Sequence, residues 1–155
     1  GEDHETTMRL AEETAAALPA DRPRYLMGVG YPQDLIRFAG MGYDLFDCVL
    51  PTRNARNGTL FTSTGPINIR LACYAADPSP VDSACTCYTC RNFSRAYLRH
   101  LAVSNEMLGG ELASLHNLHF YLHLMAEMRA AIAENRFRDW SAERTAQLTS
   151  GGTND

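Results

Sequence analysis

The sequence lacks any apolar run approaching the roughly 18 residues that a membrane-crossing helix requires, and no signal peptide opens it. No membrane partner is therefore expected, and the cytoplasm is the expected compartment. Gly1 stands where an initiator Met would, so the natural N-terminus is expected to have been removed or to lie upstream. An excess of basic charge is missing too. The formal net charge is −4, so no global field announces nucleic acid, and any RNA contact must rest on a local patch. There is no internal repeat. The five cysteines do not make an even set, and three of them crowd into six residues, which argues for a metal rather than a disulfide framework. The 155 residues that remain have an ordinary apolar share and suffice for one domain with a core.

The stretch from Gly42 to Gly58 carries the densest chemistry. Leu45 to Leu50 reads as a short apolar strand stopped by Pro51 and followed by a basic, Asn-rich loop with Arg53 and Arg56. Asp47 sits inside the apolar run. A buried carboxylate costs several kcal/mol unless it is paired or used. One reading makes Asp47 catalytic, a charged group near the end of a strand with a binding loop after it. The other makes it a strand-end Asp held by neighbouring backbone amides. Residue type alone leaves both open.

In chain order, residues 5 to 18 predict a helix with acidic first turns, ended by Pro19. Arg24 to Gly30 predicts a buried strand, and Pro32 leads into a helix over Gln33 to Ala39, broken by Gly40 and Gly42. With the Asp47 strand this makes a βαβ unit, whose parallel strands need helical cover. Thr59 to Ser63 and Ile67 to Leu71 predict a hairpin turning at Thr64-Gly65-Pro66, and Ala75 to Ser83 a loop. Arg91 to Leu101 reads as helical. A further helix starts near Asn105 or Gly110 and continues over Glu111 to Phe137, with Leu112, Leu115, Leu118, Leu122, Met125, Met128 and Ile132 as its apolar stripe. A last helix, Ser141 to Leu148, is expected to be capped by Ser141, and the tail Thr149 to Asp155 to be disordered. The pattern is α/β.

Cys85-x-Cys87-x2-Cys90 places three soft ligands on one turn, suited to zinc, which binds thiolate and takes four ligands in a tetrahedron. Spacing leaves the fourth open among Cys48, Cys73, His100, His116, His119 and His123, with the two remaining cysteines better suited to burial. Four protein ligands would leave no open position for water and make the site structural.

Taken together, Tyr25-Leu-Met-Gly-Val-Gly30, Phe46-Asp-Cys-Val-Leu-Pro-Thr-Arg-Asn-Ala-Arg-Asn-Gly58, the three-cysteine motif with Ser94-Arg-Ala-Tyr97-Leu, and His116-Asn117 strongly resemble the tRNA-guanine transglycosylase family, in its bacterial queuine tRNA-ribosyltransferase form. The resemblance covers about residues 1 to 137. It implies an irregular (β/α)8 TIM barrel with an inserted zinc-binding subdomain, of which this chain is the C-terminal part. Residues 1–58 would be partial barrel, 59–137 the zinc subdomain and C-terminal helices, and 138–155 a short helix and tail. The implied activity is exchange of guanine at the anticodon wobble position for a 7-deazaguanine of the preQ1 type, in queuosine biosynthesis. Asp47 would be the nucleophile, forming a covalent ester with the ribose. Tyr25 and Met27 would sandwich the base, Gly28 would let backbone approach it, and Glu2 would adapt a backbone group to it. Arg53, Asn54, Arg56 and Asn57 would hold the anticodon of a tRNA with a G-U-N triplet. The resemblance implies Cys85, Cys87, Cys90 and His116 as the Zn2+ ligands, with His119 and His123 as ordinary helix residues. For Arg95, a tRNA contact and a solvated helix face stay equally open. The complete enzyme would be a homodimer.

The family's chain is more than twice this long, and its general acid/base aspartate would lie outside this stretch, so turnover is expected to need the rest of the barrel. The alternative is a non-catalytic, zinc-stabilised module that binds tRNA or a partner subunit. Asp47 argues against it, since a subunit freed from chemistry needs no carboxylate there.

Overall fold

The computed structural model describes residues 3–150, so Glu2 and the tail beyond Ser150 lie outside the described residues. The chain is mixed α/β and divides into two compact units, Gly1–Cys48 and Val49–Asp155. No helix among the described residues is long and apolar enough to cross a membrane.

In the first unit, helix α1 (His4–Ala17) is capped by Asp3, whose carboxylate accepts from the Thr6 amide at 2.9 Å, and it stops where Leu18 turns extended before Pro19. Strand β1 (Tyr25–Met27), helix α2 (Pro32–Gly40) and strand β2 (Leu45–Asp47) follow, and the two strands pair in parallel with Tyr25 opposite Leu45 and Met27 opposite Asp47. Strand β1 is shorter than the run from Arg24 to Gly30, because Gly28 takes a φ of 74° and ends the pairing. Leu26 and Phe46 pack with the cluster of Ala11, Ala15, Phe38 and Tyr43, while Tyr25, Met27, Leu45 and Asp47 point the other way and are exposed. The Tyr43 hydroxyl ties the layers by donating to the Ala11 carbonyl at 2.9 Å. The expectation of a carboxylate sunk in an apolar strand is therefore corrected. β2 is one-sided, and Asp47 is on the open side.

The second unit begins with helix α3 (Leu50–Arg56), where a loop was expected. Pro51 opens this helix, since its fixed φ suits a first turn that needs no N–H, and Arg53 and Arg56 fall in the last turn, where the helix dipole favours cations. Strands β3 (Thr59–Thr62) and β4 (Gly65–Asn68) form an antiparallel hairpin with Thr62 opposite Gly65. The turn is thus Ser63-Thr64, with Gly65 and Pro66 already in the strand. A 3-10 turn at Ala72–Tyr74 leads to the cysteine loop. The single helix expected over Arg91 to Leu101 is two, α4 (Tyr88–Asn92) and α5 (Arg95–Val103), separated by an extended Phe93 and restarted by Ser94, whose hydroxyl caps the Tyr97 amide at 3.2 Å.

Helix α6 (Met107–Ala133) is the spine of this unit and packs on α3, α4, α5, β3 and helix α7 (Phe137–Ser150). Gly109 permits the crossing with α5, since a Cβ there would stand 3.0 Å from that of Leu101. The expected stripe is corrected in part. Leu112 and Met128 are buried, but Leu115, Leu118, Leu122 and Ile132 are exposed, and the inward face is instead built on Leu112, His116, Asn117, Phe120, Leu124 and Ala131. α6 is apolar on both sides, so periodicity alone chose the wrong one. Helices α5 and α6 both end in left-handed asparagines, Asn105 and Asn135, each with φ 54°. In each the following amide reaches back to a carbonyl five residues earlier, Glu106 to Leu101 at 3.0 Å and Arg136 to Ala131 at 2.9 Å. Ser141 lies inside α7 and bonds back to the Arg138 carbonyl at 2.8 Å, so it caps nothing. Thr149, expected in the tail, is helical.

Candidate functional site

At the C-terminal ends of the two parallel strands, the Tyr25 hydroxyl donates to Asp47 Oδ1 at 2.7 Å and the Gly28 amide donates to the same oxygen at 3.3 Å. The positive φ of Gly28 turns that N–H back toward β2. Hydrogen bonding to Asp47 raises the Tyr25 phenol above its ordinary range, so it stays a donor. Met27, 71 % exposed, sits in register beside Asp47. Four residues named from the sequence are thus gathered at one open strand end. The hydroxyl bond from Tyr25 was not foreseen, since Tyr25 was read only as a wall. A carboxylate oriented through one oxygen, with a phenol and an exposed thioether on the same face, is chemically fit to attack an electrophilic carbon held over that face.

In the second unit the cysteine loop closes on α6. His116 is fully buried, and its Nδ1 stands 3.8, 3.6 and 3.3 Å from the sulfurs of Cys85, Cys87 and Cys90. The other nitrogen, Nε2, bonds the Phe61 carbonyl at 2.7 Å, which requires a proton there and leaves Nδ1 as the free donor atom. The four ligand atoms lie within 4.8 Å of one another. Tetrahedral zinc, with Zn–S of about 2.3 Å and Zn–N of about 2.0 Å, would set sulfur and nitrogen about 3.5 Å apart. The residues fit zinc, which would cross-link the loop to α6. Hydrogen bonds from Cys85 and Cys90 hold the Cys87 thiol well below the usual range, while the same kind of contact pushes Cys90 up. Burial works against a charged His116, yet its contacts with Cys85 and Cys87 outweigh this and push it up to about 9.

Of the candidates for a fourth ligand left open by spacing, His116 is the one whose ring nitrogen groups with all three sulfurs. Cys48 is half-buried, and the burial expected of Cys73 is corrected, since it is exposed. Asn117, quoted only as part of a motif, is fully buried and fully used. Its carbonyl oxygen accepts from the Phe61 amide at 3.0 Å, and its amide donates to Pro51 at 2.9 Å and Thr59 at 3.0 Å. Adjacent residues of α6 thereby hold the zinc ligands, β3 and the start of α3. Asp82, also missed, orders the loop before Cys85 by accepting from the Ser63 amide at 2.7 Å and the Ala84 amide at 2.9 Å.

Arg53, Asn54, Arg56 and Asn57 lie on α3 or its C-terminal cap, with both arginines exposed. Arg56 borders a groove of about 480 Å³ that Arg70, Leu98 and Gly109 also line. Arg95 is structural in its contacts. It pairs with Asp77 at 3.2 Å, donates to the Val81 carbonyl at 2.8 Å and lies 5.4 Å from the Tyr74 ring centre.

A parallel strand pair presenting a carboxylate, joined in one chain to a Cys3His cluster on a long helix, describes a metal-bearing α/β protein. A family model described as queuine tRNA-ribosyltransferase matches residues 1–150, and the chain belongs to that family. It is 56 % identical over 154 residues to the queuine tRNA-ribosyltransferase of Desulfosudis oleivorans, covering 99 % of this chain and 40 % of that protein. The protein of that name from Desulforapulum autotrophicum is 54 % identical over 143 residues, 92 % of this chain and 39 % of the relative. The one from Dechloromonas aromatica is 53 % identical over 151 residues, 97 % of this chain and 41 % of the relative. The chain thus spans about two-fifths of the length of these relatives.

Proposed function

We propose that this chain supplies the nucleophile and the zinc site of a tRNA-guanine transglycosylase. Asp47 Oδ attacks C1′ of the wobble guanosine. The bond from C1′ to the base breaks, its electron pair leaves with guanine, which takes a proton from the general acid in the rest of the barrel, and an Asp47–ribosyl ester forms. An incoming 7-deazaguanine of the preQ1 type then attacks C1′, gives its ring N–H proton to that same group acting as base, and releases the carboxylate, the two-step logic of a retaining glycosidase with a base in place of water. Tyr25 Oη and the Gly28 amide aim the carboxylate, and Met27 and the Tyr25 ring offer a flat, apolar surface to the base. Arg53, Asn54, Arg56 and Asn57 hold the anticodon of a G-U-N tRNA, and Glu2 tunes base selection. Zinc on Cys85, Cys87, Cys90 and His116 is structural. Residues 1–58 belong to the irregular TIM barrel, 59–137 to the zinc subdomain with its helices, and 138–155 to the short helix and tail. The working enzyme is a cytoplasmic homodimer, and turnover belongs to the assembled barrel.

The observation that carries this reading is the convergence of Tyr25 Oη and the Gly28 amide on one oxygen of Asp47 at the end of a parallel strand. The test is exchange of labelled guanine into a G-U-N tRNA by this chain joined to the N-terminal portion of the Desulfosudis relative. Exchange lost by at least about a thousandfold in Asp47→Asn, as for other nucleophiles, supports the reading. Exchange unchanged by that substitution overturns it.

A further inference from the structure

The three sulfurs of the cluster are not equally supported. Cys87 Sγ accepts from the Cys90 amide at 3.3 Å, and the Cys90 sulfur stands nearest His116 Nδ1, also at 3.3 Å. Cys85 stands farthest from His116, at 3.8 Å, and its remaining polar neighbour is a side chain: Nδ1 of His119, at 3.6 Å. A thiolate bound to a metal carries no proton and can only accept, so this contact requires the proton on His119 Nδ1. His119 follows His116 by three positions and so emerges on the same side of α6, one turn along. Its ring is not left loose. It stacks on His123 at 6.2 Å and 20°, His123 Nε2 lies 3.6 Å from Glu127, and Glu127 lies 3.4 Å from Arg144 Nε on α7. Arg144 in turn donates to the Ser63 carbonyl at 3.2 Å. A run of polar side chains along α6 therefore ends on the sulfur that stands farthest from His116.

We propose that His119 is the positioning residue of Cys85, an outer hydrogen-bond donor that holds this thiolate on the metal and slows metal loss. The inference rests on the zinc reading of the cluster. It corrects the sequence-based view of His119 as an ordinary helix residue. Outer partners of metal ligands lower ligand mobility and set the electron density on the donor atom.

The test uses the full chain loaded with zinc, and separately with cobalt(II), in wild type, His119→Ala and His119→Gln. Zinc transfer to a chromophoric chelator is expected to be roughly ten- to a hundredfold faster in His119→Ala. It should return to within several-fold of wild type in His119→Gln, whose amide N–H can donate. The sulfur-to-cobalt charge-transfer band should move to lower energy in His119→Ala and return in His119→Gln, because a thiolate stripped of a hydrogen bond donates charge more readily. Unchanged release and an unmoved band in His119→Ala would overturn the role. Release equally fast in both variants, with the band unmoved, would reduce His119 to packing and overturn it as well. A wild-type chain that binds neither metal would overturn the zinc reading itself.

Discussion

The face around Asp47 is open, with Tyr25 50 % and Met27 71 % exposed, whereas His116, Asn117 and Thr89 in the second unit have no exposure at all. Both regions are polar, and both rest on hydrogen bonds to backbone, but they spend them differently. Around the cysteine–histidine cluster the buried polar groups are paired. His116 uses one nitrogen on Phe61 and the other on the sulfurs, Asn117 uses three bonds, and the Thr89 hydroxyl donates to Leu112 at 2.7 Å. Buried polar groups satisfied in this way fix a unique packing, and leaving any of them unpaired is expensive. Around Asp47 two donors aim one oxygen, and the exposed face remains available to a ligand. The difference is that the buried groups around the cysteine–histidine cluster are held by complete sets of hydrogen bonds, whereas within the two-fifths of the relatives' length that this chain spans Asp47 is aimed by two donors on an exposed face.

That division can be broken or sharpened by experiment. The largest effect is expected from metal removal. Stripping zinc with a chelator, or substituting Cys87→Ser, should unfold the second unit, since structural zinc contributes on the order of 10 kcal/mol of binding free energy. Circular dichroism and hydrogen exchange would record the loss. The zinc concentration needed to restore the fold should rise as pH falls, because the sulfurs must shed protons to bind. Next, Asn117→Ala strands the Phe61 amide and two carbonyls, and should cost about 3 kcal/mol in the denaturant midpoint. Two leucines on α6 then separate its faces. Leu124→Ala, at a fully buried position, should cost about 2–5 kcal/mol, while Leu122→Ala, 70 % exposed, should stay within about 0.5 kcal/mol. Equal costs would erase the assignment of inner and outer faces. The smallest stability effect is expected at the open site. Tyr25→Phe should leave the unfolding midpoint unmoved and slow base exchange about tenfold, near the lower end of what a hydrogen bond to a charged group contributes.

How far the sequence reached follows the same line. The βαβ order, the helix start at Pro32, and the three-cysteine motif were legible because each is a local signal with a local cause. The helix after Pro51 was not. A seven-residue segment containing Pro, Thr and Asn is too short to hold a helix by itself, and α3 packs on α6, whose Asn117 binds the Pro51 carbonyl from 66 positions away. The ends of α5 and α6 were blurred because asparagine rather than glycine takes the left-handed cap. The inner face of α6 was misjudged because leucines line both faces, and the buried one is marked by the polar His116 and Asn117, which an apolar stripe passes over. The hydrogen bond from Tyr25 to Asp47 joins residues 22 apart, and only the parallel register brings them together.

The account turns on Asp47 being the atom donor to the ribose. Its most direct test is to trap the enzyme–tRNA adduct in the assembled barrel, digest it, and find the modified peptide by mass spectrometry. The account predicts the ribose on the peptide carrying Asp47 and no adduct from Asp47→Asn. An adduct mapped to another residue, or one that survives the substitution, would contradict it.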